Sequence, residues 1–170
     1  MSPIIIIGGV PGTGKTTLAN ELSRILNIPA FSKDELEAAI ARKGLSSNKE
    51  MKGVGYEIMS TLAKRQLKND SSAIFDFIAS GKRTAELWPD LNRIKYKFIE
   101  CVCSNQETHK KRINSRVRNI EGWYELKWED VLEIEKIYEP LRHDGLVIDS
   151  INDLAENTAK ALKYVSSEHI

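Results

Sequence analysis

Between residues 9 and 17 this 170-residue chain gathers three glycines, a lysine and three threonines. The run Gly9-Val10-Pro11-Gly12-Thr13-Gly14-Lys15-Thr16 fits the spacing G-x-x-x-x-G-K-[ST], which cradles the phosphates of a nucleoside triphosphate. Glycine at positions 12 and 14 leaves no Cβ between backbone and ligand, so successive N–H groups from Gly9 to Thr17 can turn onto an anion. A helix beginning near Gly14 offers unpaired N–H groups and about half a positive charge at its N-terminus. Lys15 adds a full charge within reach of the β- and γ-phosphates, and the Thr16 hydroxyl can join the coordination of Mg²⁺. The ligand expected here is ATP with Mg²⁺, held by Gly9, Val10, Pro11, Gly12, Thr13, Gly14, Lys15, Thr16 and Thr17.

The elements that must position this loop flank it directly. Pro3-Ile4-Ile5-Ile6-Ile7 is β-branched and uncharged, the pattern of a strand buried on both faces. After the loop, Leu18, Leu22, Ile25 and Leu26 fall at i, i+4, i+7 and i+8, an apolar helical stripe.

Further strands are expected at 27–31, 73–78, 96–103 and 145–149. Helices are expected after Ser32, from about 48 to 69 beyond a break at 44–47, and after the loop 80–83, where Pro89 ends a short one. Others run from 104 to about 117, from 129 to 138 and from 154 onward. Ser32 with Glu35, and Ser104 with Glu107, have capping-box spacing. The first box places Asp34 in the opening turn of its helix. Five strands alternating with helices give an α/β fold: a three-layer, five-stranded parallel sheet with helices on both faces. Ligands then bind beyond the carboxyl ends of the strands, the edge to which Asp34, Asp76 and Asp149 are all expected to come. One domain over 1–170 is expected, with a mobile lid at about 112–128, where the periodicity fails.

Composition excludes several classes. Apolar residues make up 41% and charged residues 29%, a globular balance, and the net charge of +1 gives no general pull toward a polyanion. No apolar run approaches the roughly 20 residues of a membrane span, so a cytoplasmic protein is expected. Cys101 and Cys103 read as buried free thiols, because nothing completes a metal site around them. His109, His143 and His169 have no context that would make a base. Trp123, Tyr124 and Trp128 read first as packing residues and second as an acceptor wall. A guanine-specific N-K-x-D is missing after the fourth strand, and Asp76 is followed by Phe77 where motor ATPases carry Asp-Glu.

The chain resembles the small P-loop kinases grouped with polynucleotide 5′-hydroxyl kinases, chloramphenicol phosphotransferases, zeta toxins and gluconate-type sugar kinases. The likeness is carried by the segment 9–19, Ser32-Lys33-Asp34-Glu35-Leu36, Phe75-Asp76, Lys111-Arg112-Ile113-Asn114-Ser115-Arg116, and Tyr138-Glu139-Pro140-Leu141 leading to Val147-Ile148-Asp149-Ser150. It implies transfer of the ATP γ-phosphate to a hydroxyl of a small acceptor. Asp34 stands where the family places the acid that takes the hydroxyl proton, a role its chemistry suits. Asp76 is implied to hold Mg²⁺ through water or to contact the acceptor. Arg112 and Arg116 resemble lid arginines that clamp phosphates or stack on adenine; Arg118 is a weaker candidate, and Ser150 is placed near the base. Glu37 departs from the family, which often has an arginine there; Lys82 and Arg83 could supply that charge from their loop. The alternatives are a nucleoside monophosphate kinase, a 5′-hydroxyl nucleic-acid kinase disfavoured by the near-neutral charge, and an ATP-gated binding module.

Overall fold

Alternation along β1 (Ile4–Gly8) divides the core into two layers. Ile4 and Ile6 join Phe75, Phe77, Phe98 and the helix residues Tyr56, Met59 and Ala63 on one face. Ile5 and Ile7 join Ile74, Ile99, Leu18, Leu22, Ala161 and Val165 on the other. All four isoleucines are fully buried, each worth roughly 1.5–3 kcal/mol relative to exposure. β1 therefore holds the centre of the sheet and fixes where its C-terminal loop emerges.

The computed structural model describes residues 4–44, 51, 53–117, 119–121 and 123–167. Beside β1 stand β2 (Ala30–Ser32), β3 (Ala73–Asp76), β4 (Tyr96–Val102) and β5 (Leu146–Asp149), in the order β2-β3-β1-β4-β5. Every pairing is parallel, with Ile4 opposite both Ala73 and Tyr96. The helices are α1 (Lys15–Leu26), α2 (Lys33–Arg42), α3 (Val54–Lys68), α4 (Gly81–Leu87), α5 (Gln106–Ser115), α6 (Trp128–Ile137) and α7 (Leu154–Ser166), and Pro89–Arg93 forms a 3₁₀ turn. The α/β three-layer fold expected from the sequence is the one observed. Among the described residues, no helix is long and apolar enough to cross a membrane.

Several local expectations need correction. Ile25 is 43% exposed, so Leu18, Ala19 and Leu22 carry the buried face of α1. Ser32 is the N-cap of α2, but its side chain makes no cap bond. It is also the last residue of β2, paired with Asp76, and the ladder outweighs a cap worth about 1 kcal/mol. At α5 the cap is Asn105, whose side chain accepts from the Thr108 N–H; the Ser104 N–H donates instead to Asp149. That helix stops at Ser115, short of about 117, and Arg116 has extended backbone, so Arg112 and Arg116 do not share a helix face. Lys82 and Arg83 stand in the first turn of α4, not in a loop. Cys101 is buried, and burial pushes its thiol up to about 12, but Cys103 lies beyond β4 and is only partly covered. The expected break at 44–47 and helix start at 48, together with Arg118 and His169, fall wholly or partly outside the described residues.

Candidate functional site

The phosphate loop leaves β1 at the sheet's switch point, where β3 and β4 lie on opposite sides of it. Gly12 and Gly14 have φ of 86° and 87°, the left-handed region that glycine favours. Gly14 is the N-cap of α1, so Lys15, Thr16 and Thr17 form that helix's first turn with N–H groups facing the loop. The Val10 carbonyl organises the loop, accepting from the Thr13 hydroxyl at 2.8 Å and the Lys15 ammonium at 2.9 Å.

Thr16 and Asp76, both expected near Mg²⁺, touch each other. The Thr16 hydroxyl donates to Asp76 Oδ2 at 2.5 Å, from the start of α1 to the end of β3. Burial raises the carboxyl pKa of Asp76, and the nearby Lys15 and the Thr16 hydroxyl oppose that rise. Burial likewise lowers the pKa of Lys15, with Asp76 the largest influence the other way. A hydroxyl oxygen beside a buried carboxylate is a hard oxygen pair that suits Mg²⁺, so these two residues fit the ion.

A cavity of about 910 Å³ joins these groups to the rest of the predicted set. Pro11, Gly12, Thr13, Gly14, Lys15, Thr16 and Thr17 line it, and so do Asp34, Asp76, Arg112, Arg116 and Ser150. Gly9 and Val10 lie behind the loop. An added Cβ on Gly9 would meet the Cys101 carbonyl oxygen at 2.2 Å, and Val10 is buried. Asp34 is in the first turn of α2, directly after β2. Arg112 is anchored: its guanidinium donates to the Ser150 hydroxyl at 2.7 Å and the Ser150 carbonyl at 2.9 Å. That contact joins α5 to the β5–α7 turn. Arg116 Nε lies 3.9 Å from Glu125 Oε2. Asp149 reaches the expected edge, but it accepts from the N–H groups of Ser104 and Ile151 and so braces loops.

Sequence reasoning missed His109. Between Thr108 and Lys110 nothing marks it for a role, yet it is only 3% exposed. Its Nε2 lies 2.7 Å from the Pro11 carbonyl, and its ring packs edge-on against Trp128 at 5.1 Å. A carbonyl only accepts, so Nε2 must carry the proton. Nδ1 is then turned toward Glu135 Oε1, 3.7 Å away. The available signal was Ile113, the apolar residue four positions on, which shares its helix face. His109 thus ties the small α5–α6 core of Ile113, Trp128 and Val131 to the phosphate loop. His109→Leu is expected to lower unfolding free energy by about 1–3 kcal/mol by orphaning a buried acceptor, and to weaken binding of an ATP analogue. His109→Gln, which keeps a donor, should recover most of both; equal loss in the two variants by denaturation and calorimetry would refute the role. Trp128 is core, as read first, whereas Trp123 and Tyr124 line the cavity.

Residues 8–127 match the AAA domain family AAA_17, which covers well over half of the sequence. The chain belongs to that family, among the small P-loop kinases. A candidate kinase from Chloroflexus aurantiacus superposes with a TM-score of 0.74 at 25% identity, covering 96% of this chain and 99% of its own. A sugar kinase from Janibacter sp. HTCC2649 gives 0.70 at 17% identity over 97% and 95%, and the Sinorhizobium meliloti gluconokinase gives 0.68 at 14% over 97% and 92%; these two share the fold. A cytidylate kinase from Pyrobaculum islandicum is 48% identical over 40 residues, 24% of this chain and 22% of its own length. This chain therefore spans about a fifth of that curated relative.

Proposed function

We propose that the protein is an Mg²⁺-dependent phosphotransferase that moves the γ-phosphate of ATP to a hydroxyl of a small molecule. The observation that carries this reading is the single cavity in which the P-loop, the Thr16–Asp76 pair and Asp34 meet. Hydrolysis needs water alone; an acid at the start of α2, set apart from the phosphate loop, instead gives an incoming alcohol a place to be oriented.

Lys15 and the first-turn N–H groups of α1 hold the β- and γ-phosphates, and the triphosphate replaces the Val10 carbonyl as the partner of the ammonium. Thr16 and Asp76 would hold Mg²⁺, which would neutralise charge on the triphosphate. Asp34 accepts the proton of the acceptor hydroxyl as its oxygen bonds to the γ-phosphorus. The bond from that phosphorus to the β,γ-bridging oxygen breaks, and ADP leaves. Arg112 and Arg116 stabilise the charge spread over the transferring group, with Arg112 already aimed by Ser150. Sequestering this step from water would fall to the stretch 112–128.

Transfer to a nucleoside monophosphate is a second reading, favoured by the local match to cytidylate kinase. ATP consumption measured across sugars, nucleosides, nucleoside monophosphates, amino alcohols and 5′-hydroxyl oligonucleotides tests both. Product is expected with a small alcohol. A stable ATP-dependent protein complex with no product from any acceptor would refute phosphotransfer in favour of a nucleotide-gated binding module.

A further inference from the structure

We propose that the phosphate acceptor is an uncharged, ring-bearing polyol, recognised by Lys33 and Glu37 through its hydroxyls and by Trp123 and Tyr124 through its apolar face. This inference rests on the phosphotransfer reading above and names its substrate class. All four residues line the cavity that contains the P-loop and Asp34.

Lys33 and Glu37 stand one turn apart on α2 and form an ion pair of 2.7 Å, with side chains only 15% and 7% exposed. α3 crosses over them at Gly55. A Cβ there would fall 2.4 Å from Glu37 Oε1 and 2.7 Å from Lys33 Cγ, so the pair packs directly against the α3 backbone. The Lys33 ammonium also lies 5.5 Å from the centre of the Tyr56 ring. Its charge is therefore already matched by a carboxylate and an aromatic face. An anionic substituent arriving at this wall would meet the fixed Glu37 carboxylate and would have to compete with it for the ammonium. Hydroxyl groups meet no such conflict, because they donate to the carboxylate and accept from the ammonium.

The apolar part of the wall comes from the segment after α5. Trp123 and Tyr124 place their ring centres 5.1 Å apart with planes tilted by 39°. That segment is drawn to the end of α2 by Arg42, which donates to the Glu121 carbonyl at 2.8 Å. Aromatic faces in the same cavity as a paired ammonium and carboxylate complement a molecule with one apolar ring face and a hydroxyl-bearing rim. A hexopyranose or a nucleoside has that surface. Its phosphorylated or carboxylated counterpart adds the charge that Glu37 opposes.

Matched acceptors test this: a hexose against its uronate and its phosphate, and a nucleoside against its monophosphate, each followed by ADP release and product mass. The neutral member of a pair is expected to lead by on the order of 100-fold in kcat/KM. Glu37→Gln, which keeps the shape and removes the charge, should narrow that ratio at least about tenfold and leave the Kd for a non-hydrolysable ATP analogue unchanged. Trp123→Ala, on a segment outside the main core, should raise the acceptor KM about tenfold or more with a smaller change in kcat. Preference for the anionic member by the unaltered protein overturns the inference and leaves phosphotransfer standing. An unaltered acceptor KM in Trp123→Ala also overturns it. No product from any pair, in protein that still binds the analogue, overturns this inference; phosphotransfer itself falls only if the wider acceptor panel is silent as well.

Discussion

Asp34→Asn is expected to reduce phosphoryl transfer by about 10²–10⁴-fold while leaving the affinity for an ATP analogue within a factor of two to three of the original. The asymmetry follows from where Asp34 stands. In the proposed mechanism nucleotide binding falls to Lys15, Thr16 and the first turn of α1, whereas Asp34 enters the cavity from the start of α2, after a different strand. Asparagine preserves the volume and one oxygen, so the cavity keeps its shape, but a neutral amide cannot take the hydroxyl proton. Calorimetric titration separates binding from chemistry, and single-turnover transfer measures the chemical step. Turnover equal to that of the unaltered protein would remove Asp34 from the mechanism. Loss of analogue binding in parallel with transfer would make it a structural residue of the α2 terminus instead.

The frame of this protein is legible in its sequence because short-range patterns and the sheet agree. Ile4 to Ile7 can only be a doubly buried strand, the spacing from Gly9 to Thr16 can only follow such a strand, and the alternation of elements leaves a parallel sheet as the outcome. The gathering of Asp34 and Asp76 at one edge follows from parallelism alone, since both come just after or at the end of a strand. Less legible was whatever depends on which face of a helix meets a remote partner. His109 sits among Lys110, Lys111 and Thr108, and only the packing of α5 against the Pro11 turn turns it inward. Glu37 reads only as a departure from the family's arginine until α3 is laid across it at Gly55. The capping boxes misled for a related reason. Ser32 belongs to a strand whose register with Asp76 fixes it, and Ser104 is engaged through Asp149, a residue 45 positions away.

Lys15→Ala carries the other large expectation: about 10–100-fold weaker binding of an ATP analogue, from the loss of a charge-assisted bond in a sheltered site worth about 1.5–3 kcal/mol. The fold should tolerate the change. The Val10 carbonyl, which accepts from the Lys15 ammonium, also accepts from the Thr13 hydroxyl at 2.8 Å, so truncating the lysine does not orphan it. Asp76 is the group left exposed to the consequence. Burial raises its pKa, and Lys15 is the largest influence holding it down, so the single variant loses both a phosphate ligand and the cation that supports a carboxylate next to Thr16. Pairing Lys15→Ala with Asp76→Asn separates the two effects. If the lysine acts mainly on the triphosphate, Asp76→Asn costs further affinity in the Lys15→Ala background, because the carboxylate beside Thr16 is lost as well. If its main task is to keep Asp76 charged, the second substitution costs little once the first is made, and the cycle shows a coupling energy within the 0.5–3 kcal/mol typical of contacting residues. An unchanged analogue affinity in Lys15→Ala would place the triphosphate elsewhere.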